Sequence, residues 1–282
     1  MSLLDAIILG IVQGLSEFLP ISSTGHLTLA GKFMGLINES NPAEWTAFIA
    51  VIQLGTLGSI LIYFWNDVIN IVKDFVNENL LKRVAFKEQS LNSRLGWAVI
   101  VGTIPIVVIG LGFKDIIEGA LTKNLYVIAT SLIVLALILA LAEKLAKHNR
   151  GIEKVTLRDA LIVGLAQAVA LIPGSSRSGT TLTGGLFCGF NRETAARFSF
   201  LLSIPAIFAS GMLELKQTLE SPPSYDMLQL AVATAVSGVS GWFAIDFLLK
   251  YLRKNSTFLF IYYRIAVGVI ILALLFSGII TP

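Results

Sequence analysis

Six stretches of predominantly apolar residues, 43–65, 95–113, 124–142, 195–213, 227–249 and 258–280, recur along the chain between short polar or basic connections. Each is about long enough to cross the roughly 30 Å hydrocarbon core of a bilayer as a helix. Backbone polar groups in lipid must be satisfied within the protein, which restricts spanning structure to helices and closed barrels. The expected class is all-α and polytopic. Composition agrees: of 282 residues, 55% are hydrophobic and only 14% charged, against about a quarter charged in a soluble domain. The net charge of +3 fits basic loops at a membrane surface and gives no reason to invoke nucleic acid. The single cysteine, Cys188, excludes an internal disulfide and a multi-thiolate metal site. It reads as a small buried residue. The first apolar segment has no basic leader and carries Asp5, so no cleavable signal peptide is expected.

Two further segments are broken rather than continuous. Residues 2–18 read as a helix with Gln13 and Glu17 on one face. Pro20 ends it, and Ser22-Ser23-Thr24-Gly25-His26 follows before a short apolar arm, 27–37. Residues 160–189 repeat the plan. Gln167 precedes Pro173, and then comes Gly174-Ser175-Ser176-Arg177-Ser178-Gly179-Thr180-Thr181. Each segment is expected to be a re-entrant helical hairpin with the polar motif at its tip, because irregular backbone at membrane depth needs protein or a wet cavity around it.

The basic residues set a topology. Connections 66–94, 143–159 and 250–257 hold most of the loop Lys and Arg and are placed in the cytoplasm; 38–44 and 215–226 then face outward. Each half becomes one hairpin plus three spans, and three is odd. Residues 1–150 and 151–282 are therefore expected to be inverted-topology repeats, with a shared site where the hairpin tips meet. Pro105 is expected to kink one span and Pro205 to interrupt another.

The motif residues point to phosphate chemistry. Ionisable groups at membrane depth are costly and usually functional, which singles out Glu17, His26 and Arg177. A structural Glu17–Arg177 pair would leave the hydroxyls and His26 unexplained. Ser175, Ser176, Ser178, Gly179 and Thr180 around Arg177 suit an anion cradle of N–H groups, hydroxyls and a bidentate guanidinium. The run nearly fits a nucleotide P-loop, but Thr180 stands where the lysine belongs and no parallel sheet is expected. Ser22, Ser23, Thr24 and Gly174 extend the polar set. His26 can exchange protons near neutral pH. His148, among Lys144, Lys147 and Arg150, reads as a solvated loop residue. Gln13 and Glu17 could contribute oxygens to a hard divalent cation. A carrier or flippase for a phosphorylated lipid also matches an inverted repeat around a midplane anion site, but needs no proton-transfer group such as His26.

Gln13…Glu17…Pro20-Ile21-Ser22-Ser23-Thr24-Gly25-His26, together with Pro173-Gly174-Ser175-Ser176-Arg177-Ser178-Gly179 and Phe48–Gly55 on the first span, resembles the bacitracin-resistance type of undecaprenyl-diphosphatase. The resemblance covers essentially the whole chain. It implies removal of the terminal phosphate of undecaprenyl diphosphate, recycling of the lipid carrier for peptidoglycan synthesis, bacitracin resistance and dependence on Mg2+ or Ca2+. It also implies the bacterial cytoplasmic membrane, with the active site opening to its outer side. Family members carry Glu or Gln at the position of Gln13, and Gln supplies one carboxylate fewer for a metal. The expected catalytic set is Glu17, His26, Arg177 and Ser23, with Ser23 or water as nucleophile. The partners are the diphosphate lipid and the bilayer, and a homodimer is compatible with this reading.

Overall fold

The computed structural model describes residues 1–37, 42–113, 124–220 and 225–281. Among them the regular structure is helical, and the only strand-like pairing is an isolated bridge between Arg150 and Phe190. The expected spans are α3 (Pro42–Tyr63), α5 (Leu91–Gly112), α6 (Leu125–Leu145), α9 (Arg192–Glu220), α10 (Met227–Leu252) and α11 (Phe258–Phe276). All six are long and apolar enough to cross a membrane. Val108, Leu137, Phe243 and Ile270 are each more than half exposed on them, as lipid-facing side chains should be. The protein is an all-α polytopic membrane protein. The connections 38–44 and 215–226 fall partly, and 114–123 wholly, outside the described residues.

The broken segments form two helix pairs, α1 (Leu3–Phe18) with α2 (Ser23–Phe33), and α7 (Leu157–Val169) with α8 (Arg177–Phe187). At 1.5 Å per residue, a helix of 11–16 residues is about 17–24 Å long, too short to span. α1 and α7 begin with the same device: Ser2 with Asp5, and Thr156 with Asp159, each exchange side-chain and backbone hydrogen bonds as a capping box. One expectation needs correction. The hydroxyl runs are not wholly loop, because α2 starts at Ser23 and α8 at Arg177. Ser22 and Ser176, as N-caps, turn the chain into helix before the runs end.

Three further expectations change. Residues 66–94 are not a plain polar connection. They hold α4 (Trp65–Val76), a π-helical turn at Asn77–Leu81 and a 3-10 turn at Phe86–Glu88. The Asn79 amide pins this region, donating to Phe75 O (2.8 Å) and Ser93 Oγ (2.9 Å) while its carbonyl accepts from Gln89 and Trp97. Pro205 lies within α9 and does not interrupt it; membrane helices tolerate proline where neighbours re-satisfy the backbone, and Pro105 likewise lies within α5. His148 is not a freely solvated residue. It packs on the end of α6, with Nε2 3.1 Å from the Glu143 carbonyl oxygen.

Small residues let the helices touch. α1 packs chiefly on α10, α10 also on α3, α5 on α7, and α11 on α6. A Cβ on Gly14 would sit 2.6 Å from the Gly241 nitrogen, one on Gly55 1.9 Å from Thr234 O, and one on Gly164 2.2 Å from Gly102 O. Backbone approach this close is the usual means of association for membrane helices, where burying apolar surface gives no drive.

Candidate active site

The turn after α1 and the turn after α7 come together. Ser178 Oγ donates to Leu19 O at 3.0 Å, and Arg177 Nη2 donates to Glu17 Oε1 across 160 positions of sequence. Glu17 is 5% exposed. Its other oxygen, Oε2, accepts from Gln13 Nε2 at 2.8 Å and Ser23 Oγ at 2.7 Å. One carboxylate therefore takes a charge-assisted bond from the second motif and two bonds from the first. Arg177 also reaches Ser203 O at 3.4 Å with Nη1.

The backbone on the two sides is nearly the same. Ser22 has φ 78, ψ 97 and Ser176 has φ 67, ψ 106. Both are in the left-handed half of conformational space, which costs a residue with a Cβ and persists only where surroundings enforce it. Each side-chain oxygen accepts from the N–H three residues on, Gly25 at 3.3 Å and Gly179 at 3.2 Å. The Gly179 N–H is thus used within the cap, and the Thr180 N–H bonds to Ser176 O at 2.8 Å. The anion-facing donors are then the earlier ones. Helix geometry leaves the first N–H groups free, those of Ser23 and Thr24 in α2 and of Arg177 and Ser178 in α8. Ser23 and Arg177 both bond to Glu17, so two positive helix ends adjoin one carboxylate, an arrangement suited to an anion.

The remaining expected residues are placed as follows. Gly174 has φ 83, and a Cβ there would meet the Ile128 backbone at 2.5 Å. Ser175 Oγ is buried without a partner. Ser176 Oγ lies 3.2 Å from Ser178 Oγ. Thr180 Oγ1 donates to Arg177 O at 3.0 Å, so its proton is spent on the helix. His26 stands apart from the Glu17 cluster. Its Nδ1 is 2.7 Å from Ser22 O, and its Nε2 is 2.7 Å from Tyr263 Oη. A carbonyl only accepts, so Nδ1 carries the hydrogen, and neutral Nε2 accepts from the tyrosine.

Among the described residues no three His, Cys, Asp or Glu side chains gather to hold a metal. Gln13 Oε1, like Ser175 Oγ, is buried with no hydrogen-bond partner. The amide orientation is secure, because the Glu17 carboxylate must receive the nitrogen. Gln13 Oε1 and the Glu17 carboxylate are the protein oxygens here that could hold a hard cation.

Two residues of α11 were not singled out from sequence. Tyr263 meets His26, and the next residue, Arg264, donates to Ser175 O at 2.9 Å. Adjacent residues of one span thus touch both motifs. Tyr263 carries no signal in an apolar run. Arg264 does: it is an ionisable group inside a span.

The sequence profile of the bacitracin resistance protein BacA family matches residues 6–270. An undecaprenyl-diphosphatase from Syntrophobacter fumaroxidans is 54% identical over 276 residues, covering 98% of both chains. One from Chloroherpeton thalassium is 52% identical over 99% of this chain and 98% of its own. One from Myxococcus xanthus is 49% identical over all of this chain and 92% of its own. With a carboxylate, a serine and an arginine joined across two matched motifs and full-length similarity to these enzymes, the chain belongs to the bacitracin resistance protein BacA family.

Proposed function

We propose that the protein is a membrane phosphatase that hydrolyses undecaprenyl diphosphate to undecaprenyl phosphate and inorganic phosphate, returning the lipid carrier to peptidoglycan synthesis and so countering bacitracin. The carrying observation is the Glu17 carboxylate, which receives the Ser23 hydroxyl and the Arg177 guanidinium where two helix N-termini adjoin. In this reading the free N–H groups of α2 and α8 and Arg177 bind the diphosphate and offset charge on the transferring phosphoryl group. The hydroxyls of Ser22, Thr24, Ser175, Ser176 and Ser178 line the same place. Ser23 Oγ attacks the terminal phosphorus, its proton passes to Glu17 Oε2, and the bond to the bridging oxygen breaks to release undecaprenyl phosphate. Water then attacks the phosphoserine. Its proton goes to His26, whose Nε2 must first give up the Tyr263 hydroxyl, Ser23 Oγ recovers the proton held by Glu17, and phosphate leaves.

A divalent cation, Mg2+ or Ca2+, would be held by Gln13 Oε1 and Glu17 and would neutralise phosphate charge. The helix pairs α1–α2 and α7–α8 are read as re-entrant hairpins of two inverted repeats, 1–150 and 151–282. The packing supports this: α1 on α10 and α7 on α5 are the same pairing with the halves exchanged, as are α3 on α10 and α9 on α5. The basic connections favour a cytoplasmic side for 66–94, 143–159 and 250–257, and the family resemblance is the ground for reading the site as opening to the outer side of the bacterial cytoplasmic membrane.

Phosphate release from a polyprenyl diphosphate by purified protein, with and without EDTA, tests the function. Stoichiometric release that EDTA suppresses supports it. Binding without release, accompanied by lipid movement in proteoliposomes, would establish a carrier instead.

A further inference from the structure

Arg264 lies within α11 and is fully buried, at 0% exposure. No carboxylate pairs with it among the described residues. Its Nη2 donates to Ser175 O at 2.9 Å and more weakly to Ser131 O at 3.5 Å, while Nε and Nη1 have no acceptor. A guanidinium keeps its charge in proteins, so a buried cation without a counter-ion is retained here at a cost in stability. The carbonyl it grips belongs to the loop that bends through Gly174 (φ 83) and Ser176 (φ 67). That loop needs an external hold, because backbone in this region does not persist unaided. The first turn of α8 rests against the same side chain: a Cβ on Gly179 would come within 2.7 Å of Arg264 Nη1.

We propose that Arg264 is a positioning residue for the phosphatase reaction: by bonding the Ser175 carbonyl it holds residues 173–179 so that Arg177 and the N-terminal N–H groups of α8 meet the phosphate. The proposal rests on the function given above for the site. Arg264 acts through the loop and not on the substrate, so its removal should lower turnover more than substrate affinity.

The test compares wild type, Arg264→Met, Arg264→Lys, Arg177→Lys and the double variant Arg264→Met/Arg177→Lys in detergent. Phosphate release is read from a polyprenyl diphosphate, and hydrogen–deuterium exchange is read on peptides covering 172–181. Arg264→Met should lower kcat on the order of tenfold to a hundredfold, the scale of a lost supporting contact, with KM changed less than threefold. Exchange should rise in 172–181 and not in α5 or α6. The double variant should be little worse than Arg177→Lys alone, because both act through one loop. Wild-type kcat, losses that multiply, or exchange rising equally in every helix would overturn the proposal. If Arg264→Met does not fold, Arg264→Lys decides: kcat several-fold down with a looser loop supports it, and wild-type values of both overturn it. Should wild type release no phosphate, the proposed function fails, while the exchange measurement still reads whether Arg264 holds the loop.

Discussion

Ser23 Oγ lies 2.7 Å from Glu17 Oε2 and donates to it, and Glu17 is at once tied to Arg177 on the other motif. The serine thus has an acceptor for its proton in a carboxylate six residues away, not in the histidine three residues along. Ser23→Ala and Glu17→Gln should each lower phosphate release by at least a hundredfold, with little further loss in the double variant, because the two act as a unit. Acid quenching of wild type with terminally labelled substrate should trap phosphoserine at Ser23. Substantial turnover by Ser23→Ala would assign the attack to water.

Arg177→Lys keeps the charge and loses the planar fork. The lysine cannot serve Glu17 Oε1 and Ser203 O as the guanidinium does. Turnover should fall about tenfold to a thousandfold, on the scale of a removed transition-state donor. Near-normal rates for Arg177→Ala, measured on folded protein, would remove it from the phosphate site.

Ser176 combines a positive φ with a side-chain cap. Ser176→Ala keeps the strain and loses the cap, costing about 1 kcal/mol; Ser176→Gly loses the cap and relieves the strain. The alanine variant should therefore melt below the glycine variant in detergent. The reverse order would mean that the left-handed turn is not strained.

Gly55 lies under Thr234, with 1.9 Å between an added Cβ and the carbonyl oxygen. Gly55→Ala should push α3 from α10 and cost about 1–3 kcal/mol by overpacking. Gly58, with open space around it, is the control: Gly58→Ala should leave the melting temperature unchanged. Equal effects at both positions would contradict the packing described.

Asp159 caps α7 and receives Arg150 Nη1 at 2.9 Å. Burial would raise its pKa, but bonds from Arg150 and Thr156 outweigh that and hold it below its ordinary value. A depressed carboxylate contributes stability in full above its unfolded pKa, near 4, and loses it as pH falls through the folded value. Asp159→Asn should therefore melt below wild type at pH 7, with the gap closing only below about pH 4. A gap that closed between pH 7 and 5 would point to another group.

The spans, the two broken segments and the meeting of Glu17 with Arg177 were legible in the sequence, because apolar length and the cost of buried charge are local signals. The ends of the hydroxyl runs were not. A left-handed Ser22 or Ser176 is enforced by tertiary contact, so nothing local shows that helix resumes at Ser23 or Arg177. Tyr263 lay hidden because nothing in an apolar run points to a partner 237 positions away, whereas Arg264 was legible as an ionisable group inside a span and was passed over. Gln13 and Gln167 looked equivalent, yet only Gln13 has a carboxylate one turn on. Both amide atoms of Gln167 are buried without partners.

The seating of α1 against α10 has a consequence for how the protein is made. Ser240 reaches the Gly10 carbonyl oxygen across 230 positions, so α1 docks on a helix synthesised much later. At about 5–20 residues per second that separation takes roughly 10–50 s to synthesise. Throughout that interval the glycine face of α1, with Gln13 and Glu17 on the same short helix, must wait at the membrane without its partner. A chain released before residue 227 has no surface on which to seat α1.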